Sequence, residues 1–216
     1  TPEHARAATG IIPYALSSNL VFLAGYAALA VRNAVLGLGA ALGLWAVLQL
    51  GFLQLDPTNF GWGLALNLAA LVLSYVFVTR TLGVRGLPAL AAGRDSRKLA
   101  VRAVLGGGTV AFAVLMSRLS GPLLGGIFSV FPAAALSTLW FSYRAGGLEF
   151  SRSLVPAFML SMTININVFT VAYRLLVVNV PLALAILFSY LAAMVSAFIL
   201  WRLTSYRPTT VVQPEG

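Results

Sequence analysis

LALAILFSYLAAMVSAFIL, residues 182–200, decides the fold class. It carries no charge and is apolar on every face. A barrel strand would alternate apolar and polar residues, and a soluble surface helix would keep one polar side. Neither pattern is present. In lipid every backbone N–H and C=O must be bonded within the protein, so an irregular apolar run is a helix or it does not span. About 20 helical residues cross a hydrocarbon layer roughly 30 Å thick. Residues 64–78 read the same way.

Working outward, similar apolar stretches run over 11–31, 34–55, 61–79, 103–117, 122–143, 154–173 and 181–201 of the 216 residues. Residues are 60% hydrophobic and mean hydropathy is +0.93, which leaves no polar surface for a soluble globule. The expected fold is all-α: a polytopic transmembrane helical bundle of seven spans arranged 3 + 4. A helix lost ahead of Thr1 would make it a degenerate 4 + 4 repeat. Residues 1–10 do not resemble a signal peptide. The units are 1–82, a three-helix membrane unit; 83–100, a basic cytoplasmic linker; 101–207, a four-helix membrane unit; and 208–216, a disordered tail.

The net charge of +9 would point to nucleic acid in a soluble chain. Here the basic residues lie at span ends and between spans, so topology explains them. Placing the 80–102 loop in the cytoplasm leaves only Arg6, Arg118 and Arg174 outside. Of 14 Lys and Arg, 14 − 3 = 11 then lie inside. The N-terminus is expected outside the cell membrane and the C-terminus in the cytoplasm. Membrane lipid is the expected partner, with anionic headgroups at the basic loop; nucleic acid is not. Residues 56–60, with Asp56, Pro57 and Asn59, read as an external turn that caps the third helix.

There is no cysteine, His4 is the sole histidine, and Glu3, Asp56, Asp95, Glu149 and Glu215 all avoid the span middles. No nucleophile–base pair or metal cluster is legible, so no enzyme, metal or cofactor is expected. Proton coupling through an intramembrane carboxylate is unsupported as well.

From 101 to 203 the chain carries VRAVLGGG at 101–108, GPLLGGIFSVFPAAALST at 121–138, the loop GGLEFSR at 146–152, and Ser161-Met162 followed by Tyr173-Arg174. With these features it resembles the GlpM-like family of small four-helix membrane proteins. The resemblance implies a four-helix membrane unit and carries no activity with it.

Two groups of residues are candidates for function. Gly121 and Gly125 form a G-x-x-x-G pair, extended by Gly126, that permits close helix packing. Pro132 removes a helical hydrogen bond and kinks the fifth span. The sixth span is the most polar. Thr163, Asn167, Thr170 and Arg174 share one face at helical spacing, while Ser161 and Asn165 lie opposite. Asn19 and Asn67, from spans one and three, are expected to turn to the same interior. Either these amides are glue between helices, or they line a path for a small polar solute. The stripe through Thr163, Asn167 and Thr170 reads as the path, and Asn165 reads as glue. Glu149 and Arg152 are spaced to pair. The leading expectation is a small permease or channel-like transporter of a neutral or anionic polar solute. The alternative is a scaffold, accessory subunit or envelope-biogenesis factor. Self-association into a homo-oligomer suits either.

Overall fold

The computed structural model describes residues 9–54, 59–86 and 131–205, with isolated helical positions at 100, 104, 107, 108, 111 and 115. Gly121, Gly125 and Gly126 lie outside the described residues. So do most of the predicted fourth span, the start of the fifth, the middle of the basic loop and the tail.

The described residues are helical, with no strand among them. The helices are α1 (Ile12–Leu29), α2 (Ala34–Gln54), α3 (Phe60–Val76), α4 (Ala133–Ser153), α5 (Val155–Leu176) and α6 (Leu182–Ser205). A π-helical turn, Phe77–Thr81, extends α3. Five of these, all but α4, are long and apolar enough to cross a membrane. The chain is therefore a multi-pass helical protein of the membrane type.

Local chemistry sets the ends. Asn33 starts α2, its Oδ1 accepting from the N–H groups of Val35 at 2.9 Å and Leu36 at 3.2 Å. Asn59 does the same for α3, accepting from Trp62 N–H at 3.1 Å. Both satisfy first-turn donors that a helix leaves open. Pro13 lies in the first turn of α1, and Pro181 directly precedes α6, positions where a missing N–H removes no helical bond.

One expectation changes at α4. The segment 146–152, read as a loop, is mostly helical. The helix is broken only at Gly147, with φ 77° and ψ −172°. Leu148, Glu149, Phe150 and Ser151 do not oppose helix, whereas a glycine without Cβ can take a conformation that interrupts it. Pro132 is the residue before α4, and its carbonyl accepts the first helical bond from Leu136 at 2.8 Å. The part of the fifth span ahead of it lies outside the described residues, and with it the expected kink.

The chain divides into two compact units, Thr1–Thr163 and Ile164–Gly216. In the first, α1 packs against both α2 and α3. Leu16, Leu20, Phe22, Leu23 and Tyr26 of α1 are fully buried. Small residues allow this approach. A Cβ on Gly37 would lie 2.6 Å from the Ala30 Cα, and one on Gly63 would strike the Tyr14 ring. In the second unit Phe169 stacks on Tyr173, with ring centroids 6.0 Å apart, and leans on Tyr190 of α6 at 4.9 Å.

Candidate functional site: a buried layer of neutral polar side chains

Within the first unit, the turn of α1 from Ala15 to Asn19 collects polar groups from its neighbours. Asn19 Oδ1 accepts from the Trp45 indole N–H at 2.7 Å. The Asn19 amide nitrogen faces Met162 Sδ at 4.0 Å. Asn67 of α3 donates to Ser17 Oγ at 3.3 Å, and Ser17 passes its own proton to the Pro13 carbonyl at 3.0 Å. One turn from Trp45, Gln49 donates from Nε2 to the Ala15 carbonyl at 3.4 Å. Four residues of helix rise about 6 Å, so these bonds occupy a thin slab. Asn19, Trp45, Gln49 and Asn67 are all buried.

The antiparallel register of α1 with the α4–α5 segment follows from three contacts. Arg152 Nε donates to the Ala27 carbonyl at 2.9 Å, Tyr26 meets Ser151 at 2.8 Å, and Asn19 meets Met162. Climbing from 151 to 162 thus descends α1 from Tyr26 to Asn19. Thr163, the next residue, comes to the level of the polar turn and is completely buried. Two atoms of this slab have no hydrogen-bond partner, Gln49 Oε1 and Thr163 Oγ1.

Of the residues singled out from the sequence, Asn19, Asn67 and Thr163 belong to this unit. Sequence reasoning missed Trp45 and Gln49. Their signal was available: apart from Gln54 at its end, they are the only side chains of α2 able to hydrogen-bond, and they stand at i, i+4. The rest of the α5 set lies in the second unit. Asn167 and Thr170 are buried there, and Thr170 Oγ1 donates to the Ile166 carbonyl at 2.7 Å. Asn165 is half-buried and accepts from Ser196 of α6 at 2.8 Å. Arg152 turns to a main-chain carbonyl, and Glu149 is exposed.

Among the described residues the slab holds amides, hydroxyls and an indole, and no charge. It can accept from and donate to an uncharged molecule and offers nothing for acid–base work. Among the described residues no cluster of three His, Cys, Asp or Glu forms that could hold a metal. Fold and site together define a class: a helical, lipid-embedded protein with a neutral hydrogen-bonding interior. No protein-family model matches the chain, nor does any curated protein or solved structure.

Proposed function

We propose that this is a multi-pass membrane protein that gives a small uncharged polar solute facilitated passage, with the slab around Ala15–Asn19 as its contact point. The observation that carries the reading is the pair of buried atoms Gln49 Oε1 and Thr163 Oγ1 without a partner. Leaving such a group unsatisfied costs about 1–3 kcal/mol each, a penalty that a hydrogen-bonding guest relieves. Charged solutes are disfavoured, because nothing in the slab offsets their desolvation.

The test is flux of urea into proteoliposomes, followed by light scattering. Gln49→Leu and Thr163→Val should each lower protein-dependent flux by roughly tenfold, the effect of about 1.4 kcal/mol on a barrier. Asn165→Leu, already bonded to Ser196, should leave it unchanged. Urea and water entry no faster than in empty vesicles would sink the reading.

A scaffold without transport is the second reading. It is favoured by polar groups that satisfy each other, Asn165 with Ser196 and Tyr26 with Ser151. Cysteines placed at 49 and 163 separate the two, since a scaffold leaves them inert to small water-borne thiol reagents. The same proposal takes the chain as seven spans with residues 101–203 forming a GlpM-like unit, the 80–102 loop cytoplasmic and the C-terminus inside. In this cysteine-free chain, labelling of a single cysteine at Ser96 by an impermeant reagent in intact cells would overturn that orientation.

A further inference from the structure

One end of the first unit is built from arginines. Helices α1 and α3 run parallel, because Tyr14 donates to the Asn59 carbonyl at 2.9 Å and Asn67 reaches Ser17. The last turn of α1 and the π turn after α3 therefore lie at the same end, and the two are in contact. Arg32 follows α1 and Arg80 lies within the π turn. Arg85 comes just after a cap that orders the chain there. That cap has Gly83 at φ 64°, with Leu82 N–H bonded to the Phe77 carbonyl at 3.0 Å and Val84 N–H to the Val78 carbonyl at 3.1 Å. It resembles a Schellman ending widened by one residue. Val78 and Val84 are buried beneath it. Arg152 joins the same end through the Ala27 carbonyl.

Arg32, Arg80 and Arg85 are exposed on this ordered frame, and Arg152 is half-buried. Exposed Glu149 is the one acid among the described residues. The carboxyl ends of α1 and α3 each add about half a negative charge, which these four cations outweigh. Close by in sequence, Trp140 and Tyr143 pair with ring centroids 5.7 Å apart, the residue types that settle at headgroup level.

We propose that this end is a docking site for the phosphodiester headgroups of anionic phospholipids, held by Arg32, Arg80 and Arg85 and steadied by Arg152. Guanidinium groups match phosphate oxygens two at a time. Each basic residue near an anionic surface strengthens attachment by roughly fivefold. Three exposed arginines then predict a preference on the order of 100-fold for phosphatidylglycerol over phosphatidylcholine.

The test uses the full chain in mixed micelles of the two lipids and measures which lipid is retained after gel filtration. Wild type should enrich phosphatidylglycerol strongly, and enrichment should fall as salt rises. Arg32→Gln/Arg80→Gln/Arg85→Gln should bring the ratio near unity, while Arg202→Gln, in the other unit, should not change it. If the triple variant folds poorly, the single variants carry the test, each expected to lose roughly fivefold. Equal retention of both lipids by wild type, or full enrichment in the triple and single variants, overturns the proposal. So does displacement of phosphatidylglycerol by millimolar inorganic phosphate, which would make the site one for free anions.

Discussion

Helices α1 and α6 are both apolar and of spanning length, yet 67% of the α1 span is buried in the protein against 11% for α6. The more polar helix is the more buried one. Helix α1 carries Ser17, Ser18 and Asn19 in a row, and all three are buried. In α6 large apolar side chains such as Leu187, Phe188, Met194 and Phe198 point outward. Water would reverse this order. In lipid, tails are as apolar as leucine, so burying leucine gains little. Hiding an amide gains several kcal/mol by comparison with leaving it in hydrocarbon. Polarity, rather than hydrophobicity, marks the centre of the first unit.

The comparison breaks first at close backbone contacts. Gly37→Ala sets a Cβ 2.6 Å from Ala30 Cα and 2.8 Å from Ala30 N. Backbone cannot step aside as a side chain can, so a loss of about 2–3 kcal/mol is expected, as for overpacked cores. Gly63→Ala meets only the Tyr14 ring and should cost about half as much. On the same α2, Gly39, Gly43 and Gly51 face open space. Alanine there should be neutral or stabilise by up to about 1 kcal/mol, because helical glycine is entropically unfavourable. Midpoints of denaturant unfolding in detergent measure the difference. Equal effects at Gly37 and Gly43 would mean that α1 and α2 do not pack as described.

Next in size are the amides of the slab. Asn19→Leu strands the buried Trp45 N–H and removes the partner of Met162. A loss of about 1–2 kcal/mol is expected, near the upper end for hydrogen bonds between membrane helices. Trp45→Phe removes the donor of the same bond, so the double variant Asn19→Leu/Trp45→Phe should lose less than the sum of the singles. Strict additivity would show that the 2.7 Å bond contributes nothing. Tyr26→Phe should cost about 1 kcal/mol. Ser151 Oγ donates to the Leu139 carbonyl at 2.7 Å, so the phenol is the donor that Ser151 loses.

Much of this architecture was legible because lipid imposes length and composition on each span. Runs at 64–78 and 182–200 permit no other reading, and Asn59 and Pro181 mark their helix starts. The α4 region was harder. Its Arg144, Glu149 and Arg152 look like loop, but they lie within a helix whose only break is Gly147. The site was half legible. Asn19, Asn67 and Thr163 stand out as amides and hydroxyls in apolar helices. Which amide meets which partner depends on helix rotation, and apolar flanks on every side leave rotation unmarked. That is why Trp45 and Gln49 escaped notice, and why the Glu149–Arg152 spacing pointed to a pair where the arginine goes to Ala27.

The smallest expected effect lies at the little-buried α6. Ser196 Oγ approaches Asn165 Oδ1 and its own Ala193 carbonyl at 2.8 Å each, and one hydroxyl proton serves both. Ser196→Ala removes that donor. Asn165 is only half-buried, though, and its oxygen can turn to another partner. The loss should be about 0.6 kcal/mol, the mean for such bonds in membranes. Ala193 keeps its helical hydrogen bond, so nothing further is stranded. Asn165→Leu should cost no more, since leucine at a lipid-facing seam is well tolerated. A loss above about 2 kcal/mol for either variant would place this seam among the tightly packed ones. The contrast between a polar-centred first unit and a lipid-facing α6 would then fail at its outer edge.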